Sequence, residues 1–391
     1  MSAKKATHQL TKQHNRNLVL KTIVDHETIS RAAIARDTQL TRTTVSDVVS
    51  SLMSEGLVEE IGPGSSIGGK PSILLRLVAD SRYLIGVNLA QNKFIGSVVN
   101  LRGEIRKTVE VPVEDGDGEQ AIRLVYQILD QLVNRQWKPV VGIGVGTPGL
   151  INTREGVVIN AVNLEWQDLP LASLLERRYR IPVRVLNDSQ ATAIGEFVYG
   201  NQRADNNLVV VNVGHGIGAG ILINGRLFQG DGGGAGEIGH VLVETNGLPC
   251  RCGRKGCLET LASGRSILQA ARRLSGLSGE SNLDLIEKRF FEGDSSIKEL
   301  VLDAAHALGT ALGGLIGTLH IRKIILTGDV TRFGKAWLDA VREAMAGAAL
   351  GRMTQETQLD IGKLDYRACI LGSSAYLLLD DYSLLFNQKE N

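Results

Sequence analysis

The chain has 391 residues, 43% of them hydrophobic and 22% charged, a composition typical of a globular protein long enough for two or three domains. Its net charge of +1 excludes a broad electrostatic attraction to nucleic acid, and no apolar run is long enough to span a membrane. Four cysteines without an export signal predict free thiols in a reducing cytoplasm.

The first 21 residues are locally basic, because they contain five lysines and arginines and no acidic residue. Such an arm can contact DNA phosphates, and it can equally be a solvated tail.

Residues 14–80 predict a small helical unit closed by a β-hairpin. Apolar spacing predicts helices at 17–25 and 30–37, the second with Ser30 as its N-cap, and a third helix capped by Thr41. The third helix has apolar residues at the amphipathic positions i, i+3, i+4, i+7 and i+8: Val45, Val48, Val49, Leu52 and Met53. Gly56 marks its C-terminal end.

The opposite face of the third helix is short and polar, which predicts a helix-turn-helix whose second helix enters the DNA major groove. Two β-rich segments, 57–61 and 73–77, flank a glycine-rich loop with Lys70 and complete a winged helix. A three-helix protein-interaction module has the same helical pattern and stays an alternative. The candidate DNA-binding residues are Arg42, Thr43, Thr44, Ser46, Asp47 and Lys70.

From residue 83 onward the chain predicts a β-β-β-α-β unit that occurs twice. The first copy has predicted strands at 83–89, 95–101 and 105–111, a helix at 119–135 and a strand at 140–145. The second copy has predicted strands at 209–213, 218–223, 226–228 and 324–326, with helices before the last strand and another from Phe333. The repeat predicts two similar α/β lobes with a ligand cleft between them.

Two short motifs lie at predicted strand ends. The run GIGVGTPG at 142–149 is followed by a polar turn, whereas a dinucleotide fingerprint needs a helix N-terminus there. It therefore predicts a place where the backbone approaches a small ligand. Asn187 and Asp188 follow the strand at 183–186 and begin a helix, where such residues are more often caps than site residues.

The segment 237–259, EIGHVLVETNGLPCRCGRKGCLE, predicts a metal site. Cys250, Cys252 and Cys257 have C-x-C-x4-C spacing, and His240 lies ten residues upstream of the first thiol. Four such donors are the number that a closed tetrahedral Zn²⁺ site takes, one ion per chain. Ordinary buried thiols are the alternative, but the three basic residues between the cysteines do not suit an apolar core. A disulfide is the other alternative, but one disulfide among these three cysteines would leave one thiol unpaired.

This segment, with its E-x-G-H and C-x-C-G-x-x-G-C-x-E patterns, resembles the signature of the ROK family, which contains bacterial sugar kinases and sugar-responsive transcriptional repressors. The resemblance covers essentially the whole chain. It implies an α/β fold in which an N-terminal winged helix-turn-helix precedes a duplicated two-lobe, actin-like domain with a structural zinc. The family's repressors carry a Gly-Gly-basic wing, matched here by residues 68–70, and its kinases lack the winged helix.

The resemblance also implies sugar-binding residues. Glu237, His240 and Glu259 would contact sugar hydroxyls, and Asn163 in NLEW resembles the family's sugar-binding asparagine. The pattern N-D-x-x-A-x-A-x-G-E, beginning at Asn187, adds Asn187 and Asp188 to the implied sugar-binding residues and makes Asp188 similar to the kinases' catalytic base. In a repressor the same carboxylate would accept a hydroxyl hydrogen bond.

The nucleotide motifs depart from the kinase pattern at three places. Residues 88–92 read NLAQN instead of D-x-G-G-T, so Asn88 lacks the carboxylate that helps to organise hydrated Mg²⁺. His215 replaces a threonine in the second glycine loop, and Asp329 brings a carboxylate close to where phosphates or ribose would lie. The sequence therefore predicts a regulator without catalytic residues. A sugar kinase with residual ATP-dependent activity is the alternative.

These features predict a cytoplasmic repressor with a DNA-binding domain at 1–80, a first lobe at 81–190 and a second, zinc-containing lobe at 191–365. A C-terminal helix at 366–391 would return to the first lobe, and its apolar end would either reach the winged helix or be a plain core helix. The predicted partners are operator DNA, a monosaccharide effector and further copies of the chain in a homodimer or homotetramer. A transport-system protein as the main partner is a third possibility.

Overall fold

The computed structural model describes residues 8–64, 71–90, 92–113, 118–134, 136–202, 205–275, 282–379 and 385. Its N-terminal module runs through α1 (His8–Asp25), β1 (Ile29–Ser30), α2 (Arg31–Thr38), α3 (Arg42–Ser54), β2 (Val58–Pro63) and β3 (Ile73–Leu77). The strands pair antiparallel in the order β1-β3-β2, which confirms the predicted winged helix. α1 begins at His8 rather than at residue 17, so much of the basic arm is helical.

Local hydrogen bonds set the ends of the two helices of the helix-turn-helix. Ser30 Oγ accepts from the Ala33 amide and Thr41 Oγ1 accepts from the Thr44 amide, each at 3.2 Å, which confirms both predicted N-caps. Gly56 follows α3 with a φ of 69°, a left-handed conformation that glycine adopts without strain.

The first lobe contains a sheet with the order β11-β7-β4-β5-β6 and a smaller sheet with the order β10-β9-β8. Its elements are β4 (Tyr83–Leu89), β5 (Lys93–Asn100), β6 (Ile105–Pro112), α4 (Gly118–Leu132), β7 (Val140–Thr147), β8 (Leu150–Asn152), β9 (Val157–Ala161), β10 (Trp166–Leu169), α5 (Leu171–Tyr179) and β11 (Val183–Asn187). β8, and not a helix, follows the GIGVGTPG run, which agrees with the rejection of a dinucleotide fingerprint.

The second lobe contains a sheet with the order β14-β13-β12-β15-β16. The remaining elements are α6 (Asp188–Tyr199), β12 (Leu208–Val213), β13 (Ile217–Ile223), β14 (Arg226–Phe228), α7 (Glu259–Ala262), α8 (Gly264–Ser275), α9 (Leu283–Glu292), α10 (Ser295–Leu319), β15 (Lys323–Thr327), α11 (Gly334–Ala348), α12 (Gly351–Gln355), β16 (Gln358–Ile361) and α13 (Arg367–Leu379). Short 3₁₀ turns occur at Ala79–Ser81, Val162–Leu164, Ile238–His240 and Asp329–Phe333.

The two large sheets have the same topology, which confirms the predicted repeat. In each, an antiparallel meander (β4-β5-β6 or β12-β13-β14) is extended by two parallel strands (β7 and β11, or β15 and β16). Each lobe therefore repeats one β-β-β-α-β plan, and the cleft lies where the parallel strands end.

Helices α6 and α13 touch backbone to backbone between the lobes. A Cβ at Gly372 would lie 1.8 Å from the carbonyl oxygen of Ala191, and one at Gly195 would lie 2.0 Å from the carbonyl oxygen of Ala368. Glycine at both positions is what permits this approach. The predicted domain boundary after residue 190 falls inside α6, and the division of the chain into domains stays a prediction.

Contrary to the prediction that no apolar run is long enough to span a membrane, helix α10 is 25 residues long and, by length and composition, apolar enough to cross one. Its buried residues, among them Val301, Leu308 and Leu312, belong to the hydrophobic core of the second lobe. α10 is therefore a core helix of that lobe.

The winged helix and the first lobe share one hydrophobic cluster. The cluster joins Val19, Leu20, Ile23 and Val45 of the winged helix to Leu84, Leu101 and Val141 of the first lobe, and it also includes Leu377 and Leu385. Leu385, near the apolar C-terminal end, is only 1% exposed and belongs to this shared cluster. Residues 380–384 and 386–391 lie outside the described part of the chain.

Two arginines at the edge of the first lobe also hold the winged helix. Arg102, in the turn between β5 and β6, donates to the carbonyl oxygens of Val24 at 2.8 Å and His26 at 2.9 Å, at the C-terminal end of α1. Arg82 donates to the Glu55 carbonyl oxygen at the end of α3 at 3.1 Å. A guanidinium group thus contacts carbonyl oxygens at the C-terminal ends of both α1 and α3, where a positive charge is stabilising.

Candidate functional site

The predicted metal ligands lie together in the second lobe. His240 ends a 3₁₀ turn, and the three cysteines follow on a loop in which Gly253 and Gly256 have left-handed φ angles of 87° and 73°. The His240 Nδ1 atom lies 3.6 Å from Cys250 Sγ, and Cys252 Sγ lies 3.7 Å from Cys257 Sγ. One donor atom from each of the four residues lies within 4.8 Å of the others, so the structure confirms the predicted cluster.

These separations fit a tetrahedral metal site. Bonds of about 2.3 Å to sulfur and 2.0–2.1 Å to nitrogen place two sulfurs about 3.8 Å apart and a sulfur and a nitrogen about 3.6 Å apart. Both edges match the distances between these side chains. Cys250 and Cys257 are buried and Cys252 is exposed. A soft donor set with this geometry can hold a divalent ion.

The cleft beside the metal cluster contains three carboxylates: Asp188 at the start of α6, Glu237 before the 3₁₀ turn, and Glu259 at the start of α7. Glu237 Oε2 lies 3.9 Å from His240 Nε2, the ring nitrogen that faces away from the thiols. Partial burial, followed by the charges of Asp188 and Glu259, raises the pKa of Glu237 to about 7. Burial also raises the pKa of Asp188. The three carboxylates thus lie close enough for the charges of Asp188 and Glu259 to affect the ionisation of Glu237.

The two candidate asparagines have partners in the structure. Asn187 is the N-cap of α6, because its Oδ1 accepts from the Ser189 and Gln190 amides, and its Nδ2 donates to the Gly149 carbonyl oxygen at 3.0 Å. Asn163 is exposed on its 3₁₀ turn and its Oδ1 accepts from Arg251 Nη1 at 2.5 Å. Since Asn163 belongs to the first lobe and Arg251 to the cysteine loop of the second, this contact joins the two lobes.

The glycine loop between β12 and β13 forms another wall of the cleft. The Ile217 amide donates to Glu259 Oε2 at 3.1 Å, and a Cβ at Gly216 would lie 2.5 Å from the same oxygen. Partial burial, followed by the charges of Arg265 and Arg251, lowers the pKa of His215 to about 4. His215 therefore stands as a neutral imidazole beside two guanidinium groups at neutral pH.

Two of the residues predicted to differ from the kinase pattern, Asn88 and Asp329, lie near the ends of β4 and β15. Asn88 is half-buried near the end of β4, Asp329 begins a 3₁₀ turn after Gly328, and Gln91 lies outside the described residues. Glu196, the last residue of the N-D-x-x-A-x-A-x-G-E pattern, is fully buried. Its carboxylate accepts from the Leu364 amide at 3.1 Å, so it holds the segment before α13.

The polar face of α3 is open to solvent. Arg42, Thr43 and Asp47 are exposed, and within the described residues none of them makes a side-chain hydrogen bond or ion pair. Ser46 is half-buried, and Thr44 is half-buried with its hydroxyl 2.8 Å from that of Thr41. Lys70 lies outside the described residues.

The sequence reasoning did not assign Arg251 or Arg265 to the site. Arg251 stands between two cysteines of the predicted metal cluster, and that position was the available signal, since a tight loop of candidate ligands restricts where the side chains between them can point. Arg265 is the second residue of α8 and has no recognisable signal in the sequence.

Comparison with known proteins gives consistent matches along the whole chain. The ROK family profile matches residues 84–379. The xylose repressor of Caldicellulosiruptor bescii is 32% identical over 388 residues, which cover 95% of this chain and 97% of that protein. The N-acetylglucosamine repressor of Escherichia coli O157:H7 is 28% identical over 371 residues, which cover 92% of this chain and 91% of that protein.

Two solved structures share the fold. A ROK family transcriptional regulator, a homologue of the Escherichia coli MLC protein, has a TM-score of 0.82 and 24% identity, covering 96% of this chain and 97% of that chain. A ROK family glucokinase from Streptomyces griseus, in complex with glucose and AMPPNP, has a TM-score of 0.68 and 27% identity, covering 75% of this chain and 98% of that chain.

Proposed function

This chain belongs to the ROK family, and we propose that it is a transcriptional repressor whose operator affinity responds to a monosaccharide. The observation that carries the proposal is a winged helix whose hydrophobic core continues into a two-lobed, kinase-like fold. Relatives named as sugar repressors match 92–95% of the chain, so the similarity extends well into the winged helix. The division at residues 1–80, 81–190 with 366–391, and 191–365 is part of this proposal.

The operator would be read by α3. Its exposed Arg42, Thr43 and Asp47, with Ser46 beside them, offer donors and acceptors to base edges, and the half-buried Thr44 supports the N-terminus of the helix. Lys70 would contact a phosphate from the wing, which positions the protein without specifying sequence.

The sugar would lie between the lobes. Asp188, Glu237 and Glu259 offer acceptors for hydroxyl hydrogens, and each buried hydroxyl left unpaired would cost about 1–3 kcal/mol. Asn163 and His240 would contact the ligand from the first lobe and from the metal-binding turn. Asn187 would act mainly by fixing the start of α6, because its side chain already caps that helix and reaches Gly149.

The metal would be one structural Zn²⁺ per chain, held by His240, Cys250, Cys252 and Cys257. A bound zinc supplies folding energy to a closed site of this kind. With His240 Nδ1 facing the thiols, its Nε2 faces Glu237 and orients that carboxylate toward the cleft. The metal site and the sugar site would therefore share a wall.

The protein would not be a kinase, although the fold is that of the family's glucokinases. Asn88 offers no carboxylate to a metal-bound nucleotide, and Asp329 would repel its phosphates. The relatives named as repressors support a regulator without enzymatic activity. The protein would act in the cytoplasm as a homodimer or homotetramer, in which lobe closure moves paired winged helices out of operator spacing. The alternative is a regulator whose main partner is a transport-system protein.

The experiment starts from the purified full-length protein and a random DNA library, from which bound fragments are selected. We expect one enriched sequence whose affinity changes when a hexose, pentose or amino sugar from a panel is added. A parallel assay measures ATP-dependent sugar phosphate with Asp188→Ala as the background control. Failure to enrich a sequence, or phosphorylation above that background, would overturn the proposal.

A further inference from the structure

A glycine-rich segment, residues 229–236, leads from β14 to the 3₁₀ turn before the cysteine loop, and five of its eight residues are glycine. We call this segment the glycine strap. A Cβ at Gly233 would lie 2.2 Å from the carbonyl oxygen of Ile151 in the first lobe, and one at Gly236 would lie 1.9 Å from the carbonyl oxygen of Ala219 in the second. The strap therefore contacts both lobes, and a movement of one lobe against the other changes its contacts.

The side chain of Gln190 holds the strap. Gln190 lies on the first turn of α6 and is only 2% exposed. Its Nε2 donates to the carbonyl oxygen of Gly233 at 2.9 Å and to that of Ala235 at 3.5 Å. Because a carbonyl oxygen can only accept, these contacts fix the orientation of the amide group. The Oε1 atom of Gln190 is then buried without a hydrogen-bond partner among the described residues.

A second glutamine has the complementary deficit. Gln229 is the first residue of the strap, and its Nε2 is buried with no partner in the described part of the chain. Both glutamines bond to Ala235, since the Gln229 carbonyl oxygen accepts from the Ala235 amide at 3.1 Å and Gln190 donates to the Ala235 carbonyl oxygen. A free acceptor and a free donor thus adjoin the same residue. Burial of both groups without partners is unfavourable, so a rearrangement that joins them is favoured.

The two glutamines also adjoin candidate sugar contacts. Asp188 lies two residues before Gln190 on α6, and Glu237 directly follows the strap. A sugar that draws both carboxylates toward its hydroxyls would shift the start of α6 and the end of the strap relative to each other. Gly236, with a φ of 98°, allows such a shift at low cost in backbone strain.

We propose that Gln190 and Gln229 form a glutamine latch, in which sugar binding joins Gln190 Oε1 to Gln229 Nε2 and so fixes the strap with Glu237 at the sugar. Both are positioning residues, because they act through the strap and not on the sugar itself. This inference rests on the proposed function, since it concerns how the same cleft holds its sugar. A hydrogen bond that exists only in the sugar-bound arrangement stabilises that arrangement and increases sugar affinity.

The first test replaces Gln229 by methionine, which keeps the length of the side chain and removes the donor. In the sugar-free protein this substitution removes a buried group without a partner, so the melting temperature should stay unchanged or rise. Sugar affinity should fall roughly 2- to 10-fold, the contribution of one neutral hydrogen bond. Isothermal titration measures it with D-glucose, D-xylose and N-acetyl-D-glucosamine as probes, one sugar from each class of the panel.

Gln167→Met is the matched control, because Gln167 is an exposed glutamine on β10 of the first lobe. It should change neither the melting temperature nor the sugar affinity. A glutamine with a purely structural role at position 229 would lower the melting temperature when replaced. That result, or an unchanged sugar affinity of Gln229→Met, would refute the latch.

The second test is a double-mutant cycle between Gln190→Met and Gln229→Met. The two substitutions should be non-additive in sugar affinity by roughly 2- to 10-fold and additive in the free energy of unfolding of the sugar-free protein. Gln167→Met combined with Gln229→Met should be additive in both. Equal coupling with and without sugar would show that the two side chains are already joined, for example through a buried water, and would refute the latch. If Gln190→Met does not fold, the first test still decides, because it leaves Gln190 in place.

The outcomes separate this inference from the proposed function. If a sugar binds and alters operator binding but the cycle is additive in sugar affinity, the repressor survives and the latch is wrong. If none of the three sugars binds, the effector part of the proposed function fails and the latch fails with it.

Discussion

Replacing Arg102 by methionine should loosen the winged helix from the first lobe while leaving the cleft intact. The guanidinium donates to two carbonyl oxygens at the end of α1, at 2.8 and 2.9 Å. A hydrogen bond from a charged donor is worth about 1.5–3 kcal/mol, and water replaces part of the exposed bond to His26. We therefore expect a loss of about 2–4 kcal/mol in the local stability of this junction. Methionine keeps most of the aliphatic length of the side chain and removes only its donors.

Native-state hydrogen exchange measures this loss directly. A loss of 2–4 kcal/mol corresponds to roughly 30- to 1,000-fold faster exchange of amides in the last turn of α1, because about 1.4 kcal/mol is tenfold. Operator affinity should fall and sugar affinity should stay unchanged. The control is Arg123→Met, since the Arg123–Glu119 pair is 3.5 Å long and both side chains are largely exposed. Unchanged exchange in α1 of Arg102→Met would show that this contact does not hold the junction.

Three other predictions concern the DNA face, the metal and the C-terminal end. Arg42→Ala and Thr43→Ala should each weaken operator binding by about 1–3 kcal/mol without affecting sugar binding, whereas Lys70→Ala should weaken binding to all DNA sequences and flatten the salt dependence of that binding. Fluorescence anisotropy at several salt concentrations measures both effects. If both helix variants bind the operator as tightly as the wild type, the proposed docking of α3 is wrong. Cys257→Ser should lower metal content and sugar affinity together, because it removes a candidate ligand. Glu259→Gln should keep the metal and lose sugar affinity. Cys369→Ser is the control, because Cys369 lies outside the cluster and its replacement should leave the metal content unchanged. Metal analysis paired with sugar titration decides, and Cys257→Ser with a full complement of metal would count against the site. Deleting residues 384–391 removes the buried Leu385 and should reduce the effect of sugar on operator binding. A truncated protein that stays folded and whose operator binding still responds normally to sugar would exclude coupling through this segment.

Features set by neighbouring residues could be predicted from the sequence. The caps at Ser30 and Thr41 and the apolar stripe of α3 each depend on residues within a few turns, and the structure has them as predicted. The metal cluster was predictable for the same reason, because Cys250, Cys252 and Cys257 lie within eight residues and a tight loop brings their sulfur atoms together. The sequence also predicted the strands of both large sheets except β16, the edge strand of the second.

The arrangement of the cleft depended on contacts between distant parts of the chain. Arg251 reaches Asn163 across 88 residues, and Glu196 accepts from Leu364 across 168. The resemblance assigned Asn187 to the sugar, whereas in the structure its amide is occupied by the α6 cap and by Gly149. The spacing of residues along the chain does not predict such contacts, because the distance between their partners depends on how the two sheets pack.

The sequence alone therefore determined the winged helix, the duplicated lobes and the metal ligands, since periodicity, caps and ligand spacing are local properties. Only the tertiary structure decided that the winged helix is joined to the first lobe by a common core and by Arg102. It also decided that the Arg265 Nε atom is buried without a hydrogen-bond partner among the described residues. These are consequences of burial and charge pairing, which depend on every element that surrounds a side chain and not on its neighbours in sequence.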